Sequence, residues 1–409
     1  MLKTICTAIL LAICAVPAAA QQSAHWSPDD LTILDRWINA APGEGLPLLS
    51  TADLDAARER SDQEAIDSQA NALALRLARM HLLGNSGQSQ RSGWHIVDTD
   101  QDLAIEDMLQ FAVRNDTLGT FFALMRPRHR EYSALLTAYQ AETDPDRRRT
   151  IALNMERWRW MPRDLGEDYV LVNAARFEAD MWRDGQHVGT WRVIVGKRST
   201  PTPVFKATIE GVVLNPWWEI PTSIVRESVG ALVRNNPAAA RARGYVVQNG
   251  RYRQRPGPNN ALGQMKLVMP NPYSVYMHDT PNRNLFEEDV RSFSHGCIRT
   301  GDAIGYATTL LEGVATREEV DVILESRETT TLRIAEPMPV YVTYFTAVSD
   351  GLGGALLLDD IYNRDGAIRV SALRAPARIS ARAEGLGPRA DMLAQQSLYA
   401  ATPQPLSQC

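Results

Sequence analysis

Cysteine is scarce in this chain of 409 residues: Cys6, Cys14, Cys297 and Cys409 are too few for a disulfide framework. The zinc spacings H-E-x-x-H and C-x-x-C do not occur, and neither does the S-x-x-K pairing of a serine acyl enzyme. A basic surplus is missing too. Lys and Arg number 43 against 48 Asp and Glu, for a net charge of −5, which argues against a nucleic-acid binder. With 26 glycines a collagen-like chain is excluded, and 44% hydrophobic and 22% charged residues exclude a largely disordered one. Past the first residues no run of about 18 apolar residues occurs, so no transmembrane helix is predicted for the mature chain. At roughly 150 residues per domain, the length allows two or three domains.

Residues 1–20 read as an export signal. Lys3 precedes an apolar run from Ile5 to Val16, and Ala18-Ala19-Ala20 supplies a small-residue cleavage site. A lipoprotein reading through Cys14 places Ile13 where a small residue is wanted. Cleavage after Ala20 leaves Cys297 and Cys409, in a compartment where disulfides form readily. A Cys297–Cys409 bridge, a buried structural Cys297 and a chemically used Cys297 all stay open at this point.

Between residues 21 and 154 the pattern is helical and carries no catalytic spacing. Leu73, Leu75, Leu77, Met80 and Leu83 lie among helix formers, and Tyr132, Leu135, Leu136 and Tyr139 recur at helical intervals. Asp53 and Asp102 are expected helix starts, Gly84 and Gly119 expected stops, and 84–93 a loop. Arg126, Arg128 and Arg130 suggest either a solvated basic face or a surface for anionic glycan or a partner. From residue 155 to 348 the texture becomes β-rich. Tyr169–Asn173, Trp191–Gly196, Val204–Val213, Gln264–Met269, Ser274–His278 and Val340–Ala347 read as strands, and Asp184-Gly185 as a hairpin turn. Asp302 is the expected cap of a helix closed by Gly313. The long Arg- and Asn-rich stretch 222–263 suits a mobile cap over a site. Residues 349–409 form a C-terminal extension. The fold class is therefore α+β, a helical N-terminal scaffold followed by a β-rich domain.

One segment carries chemistry. A strand ending in Tyr276-Met277-His278 would put Tyr276 and His278 on one face. It is followed, after a loop, by Ser294-His295-Gly296-Cys297-Ile298-Arg299 just ahead of the Asp302 helix. A free thiol is only a few per cent thiolate at neutral pH, so a nucleophilic cysteine needs a base or positive surroundings. Two imidazoles and Arg299 are at hand. Gly296 lets backbone approach a bound carbonyl, and N–H groups around Gly296 and Cys297 suit an oxyanion.

The SHGCIR motif with an upstream HDTP resembles the active-site motif of the YkuD-type L,D-transpeptidases, the cysteine enzymes of bacterial peptidoglycan. Trp158 to Pro162, Val195-Gly196-Lys197, Thr202-Pro203, Asn215 to Pro221, Pro256 to Gly263, Tyr341 to Thr346 and Asp360-Ile361-Tyr362 are similar to the larger YcbB-like branch. The resemblance covers roughly residues 130–365. It implies a YkuD-type catalytic domain at 155–348, with Cys297 as nucleophile, His278 as general base and the Asp279 carbonyl orienting the imidazole. Gly296 and Cys297 N–H groups would hold the oxyanion. Ser294, His295, Arg299, Tyr276, Trp217 and Trp218 would contact substrate, although core packing explains the two tryptophans nearly as well. His295 as base is the rival assignment, and its position two residues from the thiol turns its ring away. The implied reaction is acyl transfer between peptidoglycan stem peptides in the periplasm, without metal or organic cofactor. Water as acceptor would make the enzyme an L,D-carboxypeptidase or endopeptidase. A non-catalytic wall-binding protein is the alternative from another class. Larger members of the branch carry a peptidoglycan-binding module that is not found here, which leaves room for a partner protein of wall synthesis.

Overall fold

The computed structural model describes residues 25–370. The expected export signal, Cys6, Cys14, Cys409 and the residues from 371 onward lie outside them.

The N-terminal helices start where side chains can cap them. Ser27 and Asp30 form a capping box at the head of Pro28–Ala40, and Asp62 caps the 21-residue helix Gln63–Leu83. That helix stops at Gly84, as expected, with φ +78. A Cβ at Gly84 would meet Glu156 Oε1 at 2.5 Å, so the close approach itself demands glycine. Three expectations shift. Thr51, not Asp53, precedes Ala52–Glu59; Asp102 ends a short 3-10 turn ahead of Ile105–Arg114; Gly119 lies inside the helix Leu118–Leu124. In that last helix Leu118, Phe121 and Phe122 are buried, and burying them outweighs the cost of an internal glycine.

Two hydrophobic cores divide the chain. One gathers Trp26 to Met125; the other begins with Ile96 and Tyr132 and takes in the helices Arg130–Ala141 and Pro145–Trp158 together with the sheet. These two helices therefore share the core of the strands, and Tyr139 also reaches back to the Pro42 carbonyl at 3.2 Å. Arg126, Arg128 and Arg130 point three ways instead of forming one basic face. Arg126 is buried against Glu44, Arg128 is exposed, and the Arg130 guanidinium sits 4.1 Å from the Trp182 ring centre.

The main sheet runs Trp94–His95, Val204–Leu214, Thr330–Thr343, Tyr169–Asn173, Glu178–Arg183, Gln186–Gly196, Ile298–Thr300, Met277–His278, Met265–Val268. Met265–Val268 also pairs with Val204–Leu214, so eight of these strands close into a ring with no free edge between them. The Asp184-Gly185 turn has φ +47 and +69, the left-handed pair that a two-residue hairpin requires. The strand expected over Ser274–His278 shortens to Met277–His278. Ser274 has φ +55, and the Asn271 side chain accepts from the Tyr273 and Val275 N–H groups, holding the preceding residues in a turn.

Between Trp218 and Gln254 the chain builds a separate layer. Short helical turns from Thr222 to Ala242 lie with a three-stranded sheet of Trp218–Glu219, Arg251–Gln254 and Tyr245–Gln248. Its small core is Trp218, Ile220, Val229 and Leu262, with Tyr276 packed against it. Beyond residue 348 the chain returns to the sheet: Tyr362 Oη donates to the Gly196 carbonyl at 2.6 Å, and Arg157 pairs with Asp365 at 2.7 Å.

Candidate active site

The Met277–His278 strand pairs in parallel with Ile298–Thr300, with Met277 opposite Ile298 and His278 opposite Arg299. Met277 and Ile298 are fully buried and anchor this pairing in the core. By alternation, Tyr276, His278 and Arg299 then share the other face. Cys297 follows the tight loop Ser294–Gly296 directly ahead of Ile298.

That loop is fastened from behind. Thr202 Oγ1 donates to the Gly296 carbonyl and accepts from the Gly196 N–H, both at 2.9 Å. The Lys197 N–H donates to the Ser294 carbonyl at 2.9 Å. A Cβ on Gly196 would meet the Thr200 carbonyl at 2.1 Å and Gly296 Cα at 3.0 Å, so only glycine lets the two backbones touch. The Val195-Gly196-Lys197 and Thr202-Pro203 motifs are thus a clamp on the loop that leads to Cys297. Gly296 itself sits at φ +114, open to glycine alone without strain.

His278 is 5% exposed. Its Nδ1 lies 2.5 Å from the Asp279 carbonyl. A carbonyl only accepts, so Nδ1 carries the proton and Nε2 keeps its lone pair. Burial pushes the imidazole down to about 3, with the Arg299 charge adding to it and the Asp279 backbone opposing it. The ring is therefore neutral across the physiological range. The Asp279 side chain orders the loop: its carboxylate accepts from the Gln264 N–H at 2.8 Å and from Arg283 at 3.0 Å.

Cys297 is half-buried and forms no disulfide among the described residues. Burial pushes its pKa up; the Tyr276 backbone and the Lys266 and Arg299 charges pull against that without overcoming it. Its Sγ lies 3.9 Å from the Ser274 carbonyl, the group that the positive φ of Ser274 presents. Among the described residues no hydrogen bond joins Cys297 to His278.

Several expected contacts are redirected. The Gly296 N–H, expected at the oxyanion, donates to Ser294 Oγ at 3.0 Å; the Cys297 N–H has no partner among the described residues. Ser294 is buried and its Oγ donates to the Cys297 carbonyl at 2.5 Å, so it braces the loop and is out of a substrate's reach. His295 points outward, its Nε2 2.9 Å from Glu227 of the overlying layer. Trp218 is core, whereas Trp217 is half-buried under Arg253, whose guanidinium lies 4.4 Å from the ring centre. Lys266, which sequence reading passed over, stands opposite His278 with its Nζ 4.0 Å from the Tyr276 ring centre. Only strand register brings it there, and no motif signalled it.

Residues 167–322 match the family model YkuD, described as the L,D-transpeptidase catalytic domain. A Haemophilus influenzae protein named "Putative L,D-transpeptidase" is 30% identical over 245 residues, 54% of this chain and 49% of that one. The chain thus spans about half the length of this curated relative. Among solved structures, an L,D-transpeptidase from Mycobacterium smegmatis is 12% identical over 43% of this chain and 58% of its own, with a TM-score of 0.25. The catalytic domain of an Enterococcus faecium L,D-transpeptidase acylated by ertapenem is 13% identical over 44% of this chain and 98% of its own, with a TM-score of 0.24. The fold described above is mixed, helical first and β-rich after, and its β-rich part contains the residues 167–322 that match the L,D-transpeptidase catalytic-domain model.

Proposed function

We propose that this protein is a peptidoglycan L,D-transpeptidase of the YcbB-like branch, working outside the cytoplasmic membrane with Cys297 as nucleophile and His278 as base. The observation that carries this reading is the register of two short strands, His278 opposite Arg299, which sets a neutral, oriented imidazole on the strand beside the thiol. No helix among the described residues is long and apolar enough to cross a membrane.

In the first step His278 Nε2 takes the thiol proton as Sγ attacks the carbonyl of the third stem residue in a tetrapeptide donor. The tetrahedral oxyanion faces the free Cys297 N–H. The C–N bond then breaks, D-Ala leaves with the proton from the imidazolium, and a thioester remains. In the second step an amine of another stem attacks the thioester, gives its proton to His278, and Sγ regains it as the C–S bond breaks. The product is a 3→3 crosslink. The Trp218–Gln254 layer is the cap through which donor and acceptor pass, tied to the nucleophile loop by Glu227 and His295.

Purified protein incubated with disaccharide tetrapeptides, followed by mass spectrometry, tests the reading. Crosslinked dimers with release of D-Ala are expected. Tripeptide without dimer would assign water as the acceptor and make the enzyme an L,D-carboxypeptidase. A Cys297→Ala variant that still yields either product would overturn the cysteine mechanism. A carbapenem is expected to add once, covalently, at Cys297 by intact mass.

A further inference from the structure

Lys266 on Met265–Val268 lies directly opposite His278, and His278 lies directly opposite Arg299. One row across three adjacent strands therefore reads Lys, His, Arg. The three side chains share a face, because residues in register point the same way. Met265, Leu267, Met277 and Ile298, which alternate with them, are buried on the other side.

The two ends of this row lack counter-ions. Among the described residues no carboxylate lies within ion-pair distance of Lys266 or Arg299, and Arg299 Nε is buried without a hydrogen-bond partner. Three buried arginines are matched by carboxylates, Arg126 by Glu44, Arg157 by Asp365 at 2.7 Å and Arg159 by Glu156 at 3.3 Å, while buried Arg148 donates to the Glu142 carbonyl instead. The imidazole between the two cations is neutral, and the thiol they both face is held protonated by burial. A partly desolvated face with two positive charges and no negative one is costly unless an anion completes it. Lys supplies a point charge and Arg a planar fork, a pair suited to one carboxylate.

We propose that Lys266 and Arg299 together form a two-point receptor for the terminal α-carboxylate of the donor peptide, which makes Lys266 a specificity-determining residue. The inference rests on the function proposed above. In that reaction the leaving amino acid carries its free carboxylate only one carbon beyond the scissile nitrogen. A receptor beside the thiol reaches that group, and a donor whose chain continues past this residue has no charge to offer there. Donors ending one residue after the attacked carbonyl are selected in this way.

The test measures binding and turnover separately. Calorimetric titration of the Cys297→Ala protein compares the disaccharide tetrapeptide with its C-terminal amide. Charge-assisted bonds to a carboxylate predict that the acid binds roughly 10- to 100-fold more tightly. Lys266→Met should bring the acid down to the affinity of the amide, and Lys266→Arg should keep most of the preference. Equal affinity for acid and amide in the Cys297→Ala protein overturns the receptor without any change at Lys266. So does a Lys266→Met protein that weakens both ligands by one factor. A wild-type protein that discriminates in binding but releases no D-Ala sinks the transpeptidase reading and leaves the receptor standing.

Discussion

At residue scale, the chemistry of the site depends on two groups displaced in opposite directions. Burial raises the Cys297 thiol and lowers the His278 imidazole to about 3, so the resting pair is neutral and not a thiolate–imidazolium. Alkylation of Cys297 by iodoacetamide should then be slow at pH 7 and rise continuously through pH 9, following thiol ionisation alone. An inflection near pH 6.5 that disappears in His278→Gln would reveal a preformed ion pair and contradict this picture. His278→Gln should still lower acylation by a tetrapeptide about 10²- to 10⁴-fold, because substrate-driven proton transfer loses its acceptor. Cys297, His278 and Arg299 could be singled out in the sequence because their side-chain types suit thiol chemistry. Lys266 was not, since its neighbours come from strand pairing and no local signal marks them. The partner of the Gly296 N–H was hidden for the same reason: nothing in SHGC tells that Ser294 Oγ accepts from it.

Elements position these residues through a few backbone contacts, and the contacts can be broken singly. Thr202 Oγ1 bridges the strand end at Gly196 and the Ser294–Cys297 loop at Gly296. Thr202→Val keeps the shape and strands both partners, at a cost of about 1–3 kcal/mol each if left unsatisfied. Acylation should fall more than stability does, because the loop that carries Cys297 loosens; equal thermal stability and an unchanged acylation rate would refute the clamp. On the histidine side, a Cβ at Gly263 would meet Asp279 Oδ2 at 2.3 Å, and Gly263 has φ +62. Gly263→Ala should displace Asp279, lose the carbonyl that fixes the ring tautomer, and lower the acylation rate at least tenfold, a loss on the order of 1.4 kcal/mol. A variant with wild-type acylation kinetics would show the ring to be held otherwise. At this scale the Asp184-Gly185 hairpin and the Asp302 cap were readable, because each is encoded within four residues. The cap layer was visible only as an unusually long stretch between strands. Its three-stranded sheet pairs residues 218–219 with 253–254, a contact no local pattern declares.

Across the whole molecule, the two cores meet through buried charge. Glu44 accepts from Arg126 Nε at 3.0 Å, while His81 Nδ1 lies 3.5 Å from Glu44, and Arg159 donates to the Glu44 carbonyl at 2.6 Å. Burial alone would raise Glu44, but its polar neighbours, with Arg126 and Arg159 carrying the charge at neutral pH, hold its carboxyl below the usual range. Glu44→Ala leaves Arg126 buried without its anion and should cost about 3–5 kcal/mol, measurable by urea unfolding. A loss under about 1 kcal/mol would mean that the network is dispensable. Burial also lowers His81 to about 4, and both His129 and His278 to about 3. As pH falls below about 6.5 the unfolded chain takes up these three protons and the folded chain does not. Stability should therefore be full at neutral pH and be lost progressively as pH falls from about 6.5 toward 3, by about 1.4 kcal/mol per pH unit for each histidine. Urea midpoints at pH 7, 5.5 and 4.5 check this, and a midpoint constant over that range would contradict it.

The sequence by itself determined the order of textures, helical and then β-rich, and the residue types able to do acyl transfer, because periodicity, turn chemistry and side-chain pKa values are local properties. What only the tertiary structure decided is which of these groups share a face and which are already occupied. The closed ring of strands aligns Lys266, His278 and Arg299 in one row, Tyr362 reaches back across the chain to brace Gly196, and burial fixes the protonation of the histidine. Each of these depends on contacts between residues far apart in the chain, where register and desolvation, which no local pattern encodes, set position and charge.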